Sequence, residues 1–394
     1  VGCEQFYDED ELVDGLCPEH LTAPTLVEES NYFFRLSRYT DRLQQLILTN
    51  ELRIVPEKRR NEVLSFIQQG LSDFSISRTQ ERAHGWGISV PDDPSQVIYV
   101  WFDALGNYIT ALDYANEGPL YQRYWVHNPT RTHIIGKGIT RFHAIYWPAM
   151  LLSAQVPLPT QILVHDYVTI DGRKISKSQG EVVDPIALAE RYGADAVRYY
   201  VLRAIPTTED GDFTAARFDH TYTADLADQL GNLVRRVVSM IQRYAAGQIP
   251  APASADEATE QTLKATAEVL PEAVHKAMQQ FALHEALASI WAFIGATNKY
   301  IEETKPWVLA KQPSAQERLA TVLATMAEAL RLIAYHCAPF LPTTAAAIAA
   351  SLGIAWHPEQ SAPAILRWNT AITNATVRLD AVLFPKSMID ATKE

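Results

Sequence analysis

A short glycine-flanked loop at residues 171–180 carries the residues that point most directly to chemistry. Lys174 and Lys177 stand there beside the hydroxyls of Ser176 and Ser178. Lysine ammonium groups act as mobile point charges for phosphate, while hydroxyls and loop amides donate hydrogen bonds to it. Such a loop can close over a triphosphate and stabilise the charge that develops on departing pyrophosphate. The alternative is an exposed turn with two solvated lysines, which the K-x-S-K-S order disfavours.

A second set of candidate residues combines aromatic side chains with a histidine at helical spacing. Ala104 and Tyr108 are four residues apart and share a helix face, and Trp101 precedes them after an apolar run. Ile139 and His143 have the same spacing in a later helical segment. Open α/β sheets bind ligands just after their strand ends. The alternative assigns the aromatic rings to the core and His143 to a satisfied interior position, but the joint pattern favours a pocket.

Two further groups suggest a metal and an RNA partner. Cys3, Cys17 and His20 have the spacing C-x13-C-x2-H, which supplies three of the four ligands of a structural zinc site. Chance placement of reduced cysteines is an equally good explanation from the residues alone. Near the start of a later helix, Asn232 and Arg236 are four residues apart, and an isolated Trp307 follows a proline. These three side chains suit stacking on unpaired bases and hydrogen bonding to their edges. The alternative is that Arg236 is a solvated helix charge and Trp307 a packing anchor.

The composition is that of a globular protein of two to four domains. The chain has 394 residues, and its 34 basic and 46 acidic side chains give a net charge of 34 − 46 = −12. This balance argues against a general polyanion binder. Three cysteines exclude a disulfide scaffold and favour a reducing compartment, hence the cytoplasm. Apolar runs are shorter than the ~20 residues that span a bilayer, so no membrane contact is expected.

Strand and helix patterns alternate in the middle of the chain. Apolar runs at residues 97–100, 133–135 and 162–164 predict strands, and residues 103–114 and 139–153 predict helices between them. This alternation predicts parallel βαβ organisation. Three strands make about half of a doubly wound sheet, and a lone half would lack a complete nucleotide site.

Helical patterns dominate the remainder. Two short helices are predicted at residues 39–50 and 58–70, and an Asp-Pro start predicts one helix over residues 184–203. Residues 225–352 predict an amphipathic bundle, in which His336 is expected to face away from the apolar core.

Together these motifs resemble those of the methionyl-tRNA synthetases, which are class I aminoacyl-tRNA synthetases. Residues 174–178 resemble the KMSKS signature of that class, with Ile175 in the Met position. Residues 29–36, 100–104 and 298–312 resemble methionyl-tRNA synthetase segments, and the resemblance covers almost the whole chain. It implies an α/β plus all-α fold: the C-terminal half of a class I synthetase Rossmann domain with a connective insert, followed by an α-helical anticodon-binding bundle.

The resemblance also implies four segments. They are a connective insert with a zinc-knuckle remnant at residues 1–75, the second half of the Rossmann domain at 76–165, the KMSKS loop and stem-contact region at 166–225, and the helical anticodon-binding domain at 226–394.

The implied activity is that of a methionine–tRNA ligase. Methionine is activated with ATP and Mg²⁺ to methionyl-adenylate and is then transferred to the 3′-terminal adenosine of tRNA(Met). The resemblance gives catalytic roles to Lys174 and Lys177 and ATP contacts to His165, Ser176 and Ser178.

The resemblance assigns binding residues as well. A methionine thioether packs well against aromatic edges. The residues matching the family's methionine pocket are Trp101, Ala104, Leu105, Tyr108, Ile139 and His143. Those matching the readers of the CAU anticodon are Asn232, Arg236 and Trp307. The structural Zn²⁺ ligands of the family's C-x2-C…C-x2-H knuckle correspond to Cys3, Cys17 and His20.

Some positions depart from the family pattern. Gly138 stands where the family carries an aspartate expected to contact the ribose, and Asp166 stands where it carries glycine. The H-I-G-H signature is absent, because no two of the eleven histidines lie three residues apart. The missing zinc ligand would precede Val1. We therefore expect the chain to be part of a longer protein and to be inactive alone.

Two alternatives stay open. A non-catalytic tRNA-binding fragment or paralogue would explain the missing signature. Another class I synthetase would share the KMSKS loop, although residues 31–98 are too short for the editing insertion of the leucine, isoleucine and valine enzymes. The sequence leaves the oligomeric state open.

Overall fold

The chain forms two compact units. The first unit comprises Val1–His133 and Ile139–Ile162, and the second comprises Ile134–Gly138 and Leu163–Glu394. The structure is a computed structural model that describes residues 12–17, 22–24, 30–170, 173–174, 183–358, 363–369, 372–378 and 382–386.

Small sheets and short helices make up the first unit. Its strands are β1 Phe33–Phe34, β2 Arg53–Val55, β3 Phe74–Ser75, β4 Ser77–Thr79, β5 Ser89–Val90 and β6 Asp93–Ile98. Two further strands, β7 Thr132–Gly136 and β8 Gln161–His165, begin in the first unit and end in the second. β1 pairs antiparallel with β3, β6 lies between β4 and β5 with antiparallel pairing, and β8 lies between β2 and β7. The α-helices of this unit are α1 Thr40–Leu48, α2 Glu57–Gln68, α3 Val100–Leu105, α4 Asn107–Thr110, α5 Pro119–Tyr121 and α6 Trp147–Ala154.

The predicted strands are largely present. The runs at residues 133–135 and 162–164 lie within β7 and β8, and these predictions are confirmed. The prediction for residues 97–100 is wrong at its end, because β6 stops at Ile98 and α3 begins at Val100. Tyr99 is the extended residue before the helix, and Val100 is exposed in its first turn. The apolar run at residues 97–100 therefore includes the end of β6 and the first residue of α3.

The two predicted helices after β6 and β7 are interrupted. Residues 103–114 contain the end of α3 and the whole of α4. The left-handed backbone of Asp113 (φ 66°) prevents α4 from continuing. After β7, a π-helical turn at Phe142–Tyr146 runs into α6. Pro148 in that first turn of α6 has no N–H to donate to the carbonyl of residue 144, which fits the wider turn before it.

The second unit joins a small sheet to a large helical body. Its strands are β9 Val168–Ile170, β10 Arg173–Lys174 and β11 Gly211–Phe213, with β9 in the centre, antiparallel to β10 and parallel to β11. Its α-helices are α7 Pro185–Tyr192, α8 Ala194–Ala204, α9 Ala215–Thr221, α10 Asn232–Tyr244, α11 Ala258–Gln279, α12 Leu283–Thr304, α13 Pro306–Leu309, α14 Gln316–Cys337 and α15 Pro342–Ser351, and a π-helical segment Tyr222–Gly231 leads into α10.

The predicted start of α7 is confirmed by its cap. The carboxylate of Asp184 accepts a hydrogen bond from the backbone N–H of Ile186 at 2.8 Å, and Pro185 occupies the first helical position. The predicted single helix is two helices, because Gly193 lies at φ +88° between α7 and α8. That backbone conformation favours glycine and breaks the helix there.

Helix α14 is the centre of the helical body and is enclosed on all sides. His336 is only 4% exposed, so the expectation that it faces away from the core is wrong. The charges buried on this helix are paired: Glu328 and Arg331 lie 2.7 Å apart. Buried charges of this kind persist only when their partners satisfy them. Within the described residues, no helix combines the length and apolar character needed to cross a bilayer.

Candidate functional site

A layer of aromatic rings and two histidines lies in the first unit, beside the end of α3. Trp101 stacks on Phe142 with ring centroids 4.4 Å apart, and Tyr108 lies 4.1 Å from His133. We call this group the aromatic cluster; its members are Trp101, Tyr108, Trp125, His133, Phe142, His143 and Trp147.

A short chain of hydrogen bonds crosses the aromatic cluster. The Nδ1 atom of His143 lies 2.9 Å from the carbonyl oxygen of Ile139, which can only accept, so Nδ1 donates. In the neutral ring, Nε2 must then accept, and it lies 2.7 Å from the hydroxyl of Tyr108, which donates to it. The Tyr108 oxygen keeps its acceptor lone pairs but has no further proton to donate to a ligand.

Burial keeps these polar groups neutral at pH 7. Desolvation lowers the pKa of His143 and raises the pKa of Tyr108. A neutral, largely apolar surface with one oriented hydroxyl suits an uncharged ligand side chain better than an ionic one.

The structure brings together most of the residues predicted to form a pocket. Leu105 is buried in the same hydrophobic cluster, and Trp101, Tyr108 and Ile139 pack against it. Ala104 is half-buried on α3 and is not among the residues of that cluster.

Sequence reasoning missed four members of the aromatic cluster. Trp147 lies four residues after His143, and Phe142 lies three after Ile139, so helical spacing could have found both. His133 is on β7, and Trp125 donates its indole N–H to the carbonyl of Pro157 at 2.9 Å. Nothing in the local sequence links these two residues to the pocket.

A second group of polar residues lies in the other unit, after β7. The ammonium of Lys137 lies 2.7 Å from a carboxylate oxygen of Asp210 and 4.3 Å from the centroid of the Tyr167 ring. A Cβ at Gly138 would lie 2.8 Å from the Tyr167 hydroxyl oxygen. A side chain at position 138 would therefore require the Tyr167 hydroxyl to move.

The residues predicted to contact ATP are only partly described. His165 ends β8, is exposed, and donates from Nδ1 to the carbonyl of Asp166 at 3.0 Å. Lys174 is in β10, opposite Thr169 of β9. The rest of the predicted loop lies outside the described residues, namely Ser176, Lys177 and Ser178.

The residues predicted to read an anticodon lie on the helical body. Arg236 on α10 contacts Glu302 on α12, and its guanidinium carbon lies 6.0 Å from the Trp307 ring. Asn232 accepts a hydrogen bond from Arg235 at 3.2 Å. Trp307 is half-buried and packs against the core, so part of its ring is covered and part is accessible.

Only one of the predicted zinc ligands is described. Cys17 is buried, and its backbone N–H donates to the carbonyl of Thr22 at 2.9 Å. Cys3 and His20 lie outside the described residues. In the part of the chain that the structure covers, no three His, Cys, Asp or Glu side chains come close enough together to hold a metal ion.

Comparison with known protein families covers almost the whole chain with two matches. Residues 1–238 match the family described as tRNA synthetases class I (M), and residues 249–392 match the anticodon binding domain of methionyl tRNA ligase.

Individual relatives agree with this assignment. The methionine–tRNA ligase of Caldanaerobacter subterraneus subsp. tengcongensis is 43% identical over 393 residues, which cover 100% of this chain and 60% of the relative. The methionine–tRNA ligase of Bacillus subtilis is 44% identical over 364 residues, which cover 89% of this chain and 54% of the relative. The chain thus spans less than two thirds of the length of these relatives.

Solved structures show the same fold. Mycobacterium tuberculosis methionyl-tRNA synthetase bound by methionyl-adenylate has a TM-score of 0.88 and 41% identity, over 98% of this chain and 75% of that chain. The apo form of that synthetase has a TM-score of 0.85 and 40% identity, over 97% of this chain and 75% of that chain.

Proposed function

Because the chain belongs to the class I methionyl-tRNA synthetase family, we propose that it serves in the ligation of methionine to tRNA. The observation that carries this proposal is the aromatic cluster, which lies within the residues that match the catalytic family. Its neutral hydroxyl and apolar walls suit an uncharged thioether side chain.

The proposed reaction has two steps. A carboxylate oxygen of methionine attacks the α-phosphorus of ATP, the bond from that phosphorus to the bridging oxygen breaks, and pyrophosphate leaves with its Mg²⁺. A hydroxyl of the 3′-terminal adenosine of tRNA then attacks the carbonyl carbon of methionyl-adenylate, and AMP leaves. Neither step needs a nucleophilic side chain, so the protein contributes positioning and charge stabilisation.

In the proposed pocket, the methionine side chain packs between Trp101 and Tyr108, with Leu105 and Ile139 forming apolar walls. The Tyr108 hydroxyl is oriented by its bond to His143, at 2.7 Å. The hydroxyl has already donated its proton to His143, so the preference for sulfur over a bare alkyl chain comes from the aromatic rings, because polarisable sulfur packs well on aromatic edges.

For the nucleotide, we propose that Lys174 and Lys177 neutralise charge on the phosphates, with His165, Ser176 and Ser178 as further contacts. Lysine suits this task because its ammonium is a compact charge on a flexible stem. The antiparallel β9–β10 pair supports the proposal, since it holds Lys174 at the start of the loop.

For the tRNA, we propose that Asn232, Arg236 and Trp307 contact the anticodon bases. A partly accessible indole beside a guanidinium provides a surface for base stacking and for hydrogen bonds to base edges. The match of residues 249–392 to an anticodon-binding domain supports this role for Trp307, and the Arg236 guanidinium carbon lies 6.0 Å from the centroid of that ring.

A structural Zn²⁺ held by Cys3, Cys17 and His20 remains part of the proposal. Burial of Cys17 is consistent with a ligand in a small closed site. Zinc would stabilise the surrounding segment and take no part in the chemistry. Metal analysis of the purified chain, with Cys17→Ser as the comparison, tests this assignment: the wild type is expected to retain zinc and the variant to lose it.

The functional test uses the chain as it stands. We expect calorimetry to detect L-methionine binding and filter binding to detect tRNA with a CAU anticodon, with weaker binding when the anticodon is changed. If the chain binds tRNA but does not bind L-methionine, the result would contradict the proposed pocket and favour a non-catalytic RNA-binding role. Methionine-dependent ATP–pyrophosphate exchange by this chain would contradict our expectation that it is inactive alone.

A further inference from the structure

His133 is a buried histidine for which neither the pocket prediction nor the proposed reaction has a role. It lies on β7 and is 4% exposed. Its Nε2 atom lies 3.2 Å from the indole Nε1 of Trp147. An indole nitrogen can only donate, so Nε2 of His133 accepts and the proton of the neutral ring is on Nδ1.

The ring of His133 also contacts the residue that presents the pocket hydroxyl. Its centroid lies 4.1 Å from that of Tyr108, with the planes tilted by 54°. Tyr108 in turn bonds His143 at 2.7 Å. His133 therefore packs directly on the Tyr108 ring and also bonds the Trp147 indole, whose ring centroid lies 6.1 Å from that of Tyr108.

The surroundings of His133 keep it in the accepting form. Desolvation, with a smaller contribution from nearby His143, lowers the pKa of His133 to about 4. The rings that pack against it belong to Tyr108, Trp125 and His143, none of which carries a charge at neutral pH.

We propose that His133 is a positioning residue of the pocket, which through its contacts with Tyr108 and Trp147 holds the Tyr108 ring at the distance from Trp101 that an unbranched thioether side chain requires. This inference rests on the proposed function of the pocket. Loss of the Trp147 bond would let the indole reorient, because a buried donor without an acceptor is costly and moves to find one. A looser wall would admit branched side chains such as that of leucine and weaken the preference for methionine.

The test compares His133→Phe, which keeps a ring but removes the acceptor, with His133→Gln, whose amide oxygen can accept from the indole. We expect His133→Phe to weaken L-methionine binding about tenfold and to narrow the methionine-to-leucine affinity ratio. We expect His133→Gln to keep most of the wild-type methionine affinity and most of the wild-type affinity ratio. His127→Phe, the same change at an exposed histidine, is the matched control and should leave both values unchanged.

A double-mutant cycle separates positioning from general damage to the core. In a Trp147→Phe background the indole donor is gone, so adding His133→Phe should have little further effect on methionine affinity. An undiminished effect in that background, or wild-type affinity in His133→Phe, would overturn the inference. If His133→Phe does not fold, the methionine-to-leucine affinity ratios of His133→Gln and Trp147→Phe still test the inference. The ratio of His133→Gln should resemble that of wild type, and the ratio of Trp147→Phe should be smaller.

Failure of the proposed function would look different. In that case the wild-type chain itself would show no methionine binding, whereas failure of the present inference leaves wild-type binding intact and removes only the difference between the two His133 variants.

Discussion

Arg236 and Glu302 form an ion pair between α10 and α12, with Nη2 and Oε1 only 2.5 Å apart although 66 residues separate them in sequence. Both side chains are partly exposed, so the pair adds little to folding stability. Its consequence is functional: the guanidinium proposed to contact RNA is engaged by a carboxylate, and RNA must compete with that carboxylate for it.

Replacing Glu302 should therefore strengthen RNA binding. We expect Glu302→Gln to raise affinity for tRNA about two- to fivefold at low salt, because it removes a repulsive charge and frees Arg236. The gain should shrink as salt increases, since exposed charges are screened. Filter binding across a salt series measures both effects.

The control is Glu303→Gln, the same change one residue later. Glu303 pairs with Lys299 at 3.6 Å on the surface of α12 and does not engage Arg236. Equal gains in the two variants would mean that net charge alone, and not release of Arg236, determines the affinity.

Trp307→Ala should weaken binding of tRNA with a CAU anticodon while the fold persists. Loss of one base–aromatic stack is expected to reduce affinity about ten- to a hundredfold. Trp307 also packs on the core, so circular dichroism and thermal unfolding must be recorded alongside. Trp356→Ala, which removes another half-buried indole of the same body, is the comparison. Unchanged tRNA affinity in Trp307→Ala would remove this residue from the proposed interface.

Tyr108→Phe should weaken methionine binding about tenfold, because the Nε2 atom of His143 loses its donor inside a buried site. Calorimetry on the variant measures the loss. Tyr124→Phe makes the same change at a tyrosine that is 45% exposed in the same unit, and should bind like wild type. Parallel losses in both variants would point to a general effect on the fold.

His336 should make the protein sensitive to acid. Burial, and then the nearby charge of Arg331, lower the pKa of His336 to about 4. In the unfolded chain its pKa is about 6.5, so below that pH the unfolded state binds a proton that the folded state does not. Because of His336, the free energy of unfolding should fall by about 1.4 kcal/mol for each pH unit between pH 6.5 and 4. Above pH 6.5 this residue should not change it.

Denaturant unfolding at several pH values tests this. In His336→Gln the slope between pH 6.5 and 4 should be smaller than in wild type by the contribution of about one proton. Identical slopes would show that the folded state protonates His336 as readily as the unfolded chain does.

Local spacing predicted much of the fold and part of the aromatic cluster. The strands at β7 and β8, the capped start of α7 and the helical body follow from patterns within a few residues, which a sequence displays directly. Trp101, Tyr108 and His143 do come together in the aromatic cluster. Their proposed roles stay predictions.

What the sequence could not reveal are contacts between distant segments. The bond between His133 and Trp147 joins β7 to α6, and Glu302 meets Arg236 from another helix. The burial of His336 depends on helices packing around α14 on every side, whereas its own sequence neighbours suggest only one apolar face. Gly138 is similar, because the Tyr167 hydroxyl that lies against it comes from a later segment of the chain.

The Glu328–Arg331 pair bears on how the helical body is assembled during synthesis. Arg331 donates to the carbonyls of Ile365 and Arg367 at 2.6 and 2.8 Å, and Glu328 accepts from the N–H of Asn369 at 2.9 Å. The ribosome makes both charged residues before it makes any of these three partners. The pair can form within α14 alone, but its full set of hydrogen bonds in the buried site is completed only after residues 365–369 have been made.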